Sequence, residues 1–75
     1  MTRQDIIRTT IAEACKQPLE RVNSDSRLTE DLGLRSLRRV ELAVTLEDRL
    51  AIPVADDTVM TARTVGDLVR ALGAA

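Results

Sequence analysis

Residues 30–42 read EDLGLRSLRRVEL, and the fold turns on how this stretch is divided. Asp31 and Gly33 carry turn chemistry, whereas Leu37, Val40 and Leu42 open a helical pattern. Ser36 falls at the junction. A serine oxygen there can accept from a free backbone N–H, so Ser36 is the expected N-cap of a helix from about Leu37 to Leu50. Arg35, Arg38 and Arg39 crowd the same end, the positive end of the helix dipole. Each is unfavourable there by roughly a few tenths of a kcal/mol, which raises the question of what offsets that cost.

At about 100° per residue the apolar positions of this helix divide into two stripes. Leu42, Ala43, Leu46 and Leu50 should face a core. Leu37, Val40 and Val44 form the second stripe, flanked by Glu47 on one side and by Glu41, Thr45 and Asp48 on the other. One stripe suffices for folding; the second completes the core or docks a partner.

Upstream, TRQDIIRTTIAEACKQP (residues 2–18) predicts a first helix. Thr2 caps it with Asp5 three residues on, Ile7, Ile11, Ala14 and Cys15 repeat at helical spacing, and Pro18 stops it by about Lys16. Cys15 on that stripe acts as a small hydrophobe. Residues 17–35 form a long polar loop, with Leu19, Val22, Leu28, Leu32 and Leu34 expected to pin it to the helices. Downstream, Pro53 bars continuation of the second helix. Asp56 or Asp57 starts a short helical turn carrying Val59 and Met60. Thr64, with Asp67, caps a last helix bearing Val65, Leu68, Val69 and Leu72, which Gly73 ends. The expectation is an all-α bundle of three main helices, a short third helix and a long first loop, forming one domain over 1–75.

Composition narrows the function. With 75 residues, one cysteine and no histidine, neither a disulfide nor a structural zinc site is expected, and no metal site is predicted. The absence of Phe, Tyr and Trp removes the usual means of stacking nucleobases. A net charge of −1 gives no field toward nucleic acid or an anionic membrane. No apolar run suits a signal peptide or a bilayer span, so a cytoplasmic protein acting as a monomer is expected. A helix-turn-helix reading fails because its helices need a turn of about three or four residues, not the stretch 17–35.

Catalysis by this chain fails on inventory. A nucleophilic serine needs a base, and the nearest alternative to histidine, Lys16, lies on another helix. DLGLRS (residues 31–36) is not a phosphate-binding loop, having one glycine and no Gly-Lys-Ser/Thr. No catalytic residue is assigned; chemistry at Ser36 requires groups brought by another protein.

The stretch EDLGLRSLRRVELAVTLEDRLAIPVADD (residues 30–57) with RTVGDLV (residues 63–69) resembles the acyl carrier proteins of fatty acid or polyketide synthesis. The matching pieces are Asp31-Leu32-Gly33, Ser36-Leu37, Val40-Glu41-Leu42, Leu46-Glu47, Ile52-Pro53-Val54 and Thr64-Val65-Gly66-Asp67. The resemblance implies a four-helix bundle in which a phosphopantetheinyl transferase attaches 4′-phosphopantetheine, taken from coenzyme A, to Ser36. Asp31, Gly33, Arg35 and Leu37 then flank the attachment site, and the arm's thiol holds the acyl group as a thioester. Acyl-loading and synthase enzymes would dock on Leu37, Arg38, Val40, Glu41, Val44 and Asp48. Aminoacyl or peptidyl carriage stays open, although Gly33-Leu34 departs from the Gly-Gly-x-Ser pattern of such carriers. An unmodified scaffold binding through the second helix also stays open.

One departure stands out. The family's Asp-Ser-Leu is here Arg35-Ser36-Leu37, and its second helix is usually acidic. Over residues 35–49, Arg35, Arg38, Arg39 and Arg49 outnumber Glu41, Glu47 and Asp48, a net charge of +1. This predicts weaker recognition by generic enzymes and a dedicated enzyme set. It also leaves two fates for Arg35: pairing with the phosphodiester, with Arg39 as its companion, or neutralisation by Asp31 and Glu30.

Overall fold

The computed structural model describes residues 2–73. Four α-helices follow in order: α1 (Arg3–Cys15), α2 (Ser36–Leu50), α3 (Asp56–Thr61) and α4 (Val65–Leu72). The family-type helical bundle is thus realised, with the long loop between α1 and α2 and the shortest helix third.

The caps of α1 and α4 follow from their sequences. Thr2 Oγ1 accepts the Asp5 N–H (3.1 Å), and the Asp5 carboxylate accepts the Thr2 N–H (3.4 Å). Thr64 and Asp67 repeat this reciprocal box at 3.1 and 3.2 Å, each satisfying two otherwise free donors. α1 stops at Lys16, which turns left-handed (φ 57°), and α2 stops at Ala51 in the same conformation (φ 58°). α4 ends at Leu72 with Gly73 as cap.

The core is aliphatic. Ile7 and Ile11 of α1 meet Leu42 and Leu46 of α2, Val59 of α3, and Val65 and Leu68 of α4, all essentially without exposure. On α1 the buried face differs from the expected stripe. Thr10 and Ala12 are buried beside the two isoleucines, while Ala14 and Cys15 are half-buried. A groove lined by Leu32, Gly33 and Arg38 runs past these last two, so the end of the helix lacks a full cover.

Val22, Leu28 and Leu34 pin the long loop as expected, and Leu32 packs partly against the core. Leu19 does not; it is 41% exposed. It begins a 3₁₀ turn, Leu19–Arg21, which Arg8 holds by its backbone, donating to the carbonyls of Val22 (3.0 Å) and Leu19 (3.3 Å). The loop is also stitched to the start of α4: Leu28 N–H donates to Arg63 O, Val65 N–H to Ser26 O and Gly66 N–H to Ser24 O. Gly66 permits that approach, since a Cβ there would stand 3.0 Å from the Ser24 carbonyl oxygen.

Candidate functional site

The loop reaches α2 through a tight turn. The Asp31 carboxylate accepts the Arg27 N–H (2.8 Å) and lies 3.6 Å from the Arg27 guanidinium. Gly33 follows at φ 70°, with open space around the missing Cβ. Glycine is favoured there by backbone conformation and not by crowding. Leu34 then turns inward, and its N–H donates to Leu28 O (2.8 Å).

The helix begins one residue earlier than the sequence pattern indicates. Arg35 is extended (φ −92°, ψ −179°) and occupies the cap position, with its carbonyl accepting the Arg39 N–H at 2.9 Å. Ser36 is the first helical residue and is exposed. The reading of Ser36 as a cap is therefore corrected: no side chain caps α2. The cap is set by the backbone angles of Arg35, which local sequence specifies only to within a residue or two.

This leaves the helix end electrostatically unmet. α1 and α4 each carry an aspartate at the third helical position, Asp5 and Asp67; α2 carries Arg38 there and has no acid in its first turn. The leading N–H groups of a helix have no intrahelical partner, and the dipole favours an anion beside them. The Ser36 hydroxyl stands at that end, in an open groove lined by Thr29, Arg35, Arg39 and Met60. These neighbours include no carboxylate, imidazole or amine to take its proton. The site suits a covalently held phosphodiester and offers no self-catalysis.

The other predicted site residues separate in space. Leu37 (74% exposed), Val40 (39%) and Val44 (65%) all face solvent, so the second stripe is surface and not core. Within the helical repeat they fall in a sector of about 60°, with Glu41 and Asp48 on one flank and Glu47 on the other. Arg38 leaves this face and donates to Ala14 O of α1 at 3.2 Å. Arg49 also turns to α1, pairing with Glu13 at 2.7 Å and donating to Thr10 Oγ1 at 3.2 Å.

Arg39 departs furthest from expectation. It is only 8% exposed and is not a free cation beside Ser36. Nε donates to Leu34 O (3.0 Å), Nη1 to the carbonyls of Val59 (3.2 Å), Met60 (3.1 Å) and Ala62 (2.6 Å), and Nη2 to Thr29 Oγ1 (2.8 Å). Two of those carbonyls belong to the last turn of α3, where the dipole welcomes a cation. A signal was present in the sequence: Arg39 precedes Leu42 by three residues and Ala43 by four, the spacing of the inward face. Neutralisation of Arg35 by Asp31 is not realised either, because Asp31 is engaged by Arg27. The basic character expected of the second helix is thus reduced by the burial of Arg39 and confined to the side turned toward α1. Of its three arginines, Arg39 is buried and Arg38 and Arg49, though exposed, bond to α1, so the exposed apolar stripe is flanked by acids.

Comparison with known proteins agrees with this geometry. Residues 5–72 match the family model described as "Phosphopantetheine attachment site". The chain is 37% identical over 71 residues to "Acyl carrier protein 3" of Ralstonia nicotianae, covering 95% of this chain and 82% of that protein. It is 38% identical over 66 residues to "Acyl carrier protein" of Wolinella succinogenes (88% and 87% covered). With "Acyl carrier protein" of Chlamydia trachomatis the identity is 34% over 70 residues (93% and 91% covered).

Proposed function

The chain belongs to the acyl carrier protein family, a premise from which we propose that Ser36 is the residue that bears its 4′-phosphopantetheine. The group is covalently attached, and the chain is a non-catalytic carrier of acyl groups, served by a phosphopantetheinyl transferase and by acyl-handling enzymes. The observation supporting Ser36 is the exposed hydroxyl at the uncapped, acid-free start of α2. Modification replaces its O–H by an O–P bond. The pyrophosphate bond of coenzyme A breaks and adenosine 3′,5′-bisphosphate leaves with the electron pair. The seryl proton passes to a base that the transferase must supply. Once attached, the arm's thiol carries the acyl group as a thioester.

The residues around Ser36 fit this group. The free N–H groups of the first turn and the Arg35 side chain would hold the phosphodiester, while Asp31 and Gly33 shape the turn that presents it. Arg39 is already committed to carbonyls and is no partner of the phosphate. Partner enzymes would meet Leu37, Val40 and Val44, with Glu41, Glu47 and Asp48 around them. This face suits a basic, partly apolar surface. Arg35, with the still exposed Arg38, then remains as the feature that would favour a dedicated enzyme set. We place the carrier, as a monomeric single domain, in cytoplasmic fatty acid, polyketide or related lipid synthesis. No helix among the described residues is long and apolar enough to cross a membrane.

Incubation of the apo protein with coenzyme A and a transferase, followed by intact mass and peptide mapping, tests the assignment. One phosphopantetheine should appear on Ser36 and none on Ser36→Ala. An unmodified wild type would leave the scaffold reading in its place.

A further inference from the structure

A thioester-bound alkyl chain is apolar, and every methylene it removes from water favours burial. Whether this bundle offers such a chain a way in is decided at Arg39. The groove at Ser36, of ≈ 410 Å³, has Thr29, Arg35, Arg39 and Met60 as its walls. Past Arg39 and Met60 a second open groove continues toward Arg27, Arg63 and Thr64. Among the side chains lining this path only Met60 and Ala62 are apolar. Arg39 belongs to both grooves, and on α2 it shares the buried set with Leu42, Ala43 and Leu46. It therefore stands between Ser36 and the aliphatic core. All three of its nitrogens donate, to four carbonyls and one hydroxyl, with no carboxylate among the acceptors. Moving it aside would leave those acceptors without their donor, which is unfavourable.

We infer that Arg39 is a specificity-determining residue that seals the seam between α2 and α3. The carrier keeps its acyl group outside the bundle, and its cargo are short or polar acyl groups in place of long alkyl chains. This rests on attachment at Ser36. It extends that reading by naming the class of cargo.

The test loads the apo protein with acetyl, hexanoyl and decanoyl arms from the corresponding acyl-coenzyme A, with each adduct mapped to Ser36. A chain entering the core would raise Tm steadily with length, by roughly ten degrees or more at ten carbons. It would also shift the backbone amides of Leu46 and Val59. The expected result is wild-type melting temperatures that agree within about 2 °C, with amide shifts confined to residues lining the grooves. In Arg39→Met the seam loses its charge and hydrogen bonds, and the decanoyl form should melt above its own acetyl form. Arg39→Gln serves the same comparison if Arg39→Met does not fold. A wild-type Tm that climbs with chain length overturns the inference while leaving Ser36 as the attachment site. Equally flat wild-type and variant series remove Arg39 from the explanation. Absence of any adduct on Ser36 overturns the attachment reading, and this inference with it.

Discussion

Arg35 occupies the cap position of α2 yet brings no oxygen to the free N–H groups that follow it. Serine, threonine, aspartate or asparagine would normally do so, and replacing them with a non-capping residue costs about 1 kcal/mol. A phosphodiester on Ser36 would supply the missing negative charge at the helix end. The holo protein should therefore be more stable than the apo protein by roughly 0.3–1 kcal/mol at low ionic strength, shrinking as salt rises. Paired thermal melts with and without the arm measure this. Arg35→Ala should reduce the difference, and an unchanged difference would show that the backbone alone holds the phosphate. At this scale the site was nearly legible in the sequence. Asp31, Gly33 and Ser36 were all placed in the turn and helix start they occupy, but the cap lay one residue off. Whether Arg35 is extended or helical depends on how Leu34 is drawn inward, and that is a tertiary contact.

Helix ends and faces carry the next level. The Asp67 carboxyl sits below its ordinary value of 3.8 because it accepts from the backbone N–H groups of Arg63 and Thr64, with the Arg70 side chain adding to this. A carboxylate held low in the folded state stabilises above its unfolded value, and the contribution is lost as pH falls through its folded value. Urea midpoints at pH 7 and pH 3 should show this for the wild type. Asp67→Asn should be less stable at pH 7 and lose less on acidification; equal losses would mean the cap contributes nothing. On α2, Val44 is solvent-facing, so Val44→Asp should alter stability by no more than about 0.5 kcal/mol. Helicity by circular dichroism would stay near wild type while modification and acyl loading slow, chiefly through KM. Unfolding of this variant would return the stripe to the core. The two stripes of α2 were separable by period alone, because a 3.6-residue repeat fixes which residues share a face.

At the scale of the molecule, Arg39 joins parts distant in sequence: α2, the Thr29–Leu34 turn, the end of α3 and the segment leading to α4. α3 has six residues and no side-chain cap at its start, so much of its anchorage comes from Val59 below and Arg39 at its end. Arg39→Met leaves buried carbonyls without donors, and a loss of about 3 kcal/mol is expected in urea unfolding, from orphaned acceptors each costing about 1–3 kcal/mol. Arg39→Lys should recover only part of it, since a single ammonium cannot span acceptors that a guanidinium fork reaches. A loss below about 0.5 kcal/mol would mark Arg39 as a bystander. This residue also divides what could be read from what could not. Sequence by itself determined the helices, their reciprocal caps, the aliphatic core and the serine at a turn–helix junction, because periodicity and capping are local and repeat within a few residues. It also carried the family resemblance. Only the tertiary structure decided the fate of the charges. An arginine's long side chain reaches partners far away in sequence, so its charge counts at the surface only if packing leaves it there. Here packing buried Arg39 and drew Arg38 and Arg49 toward α1, which leaves acids flanking the exposed apolar stripe.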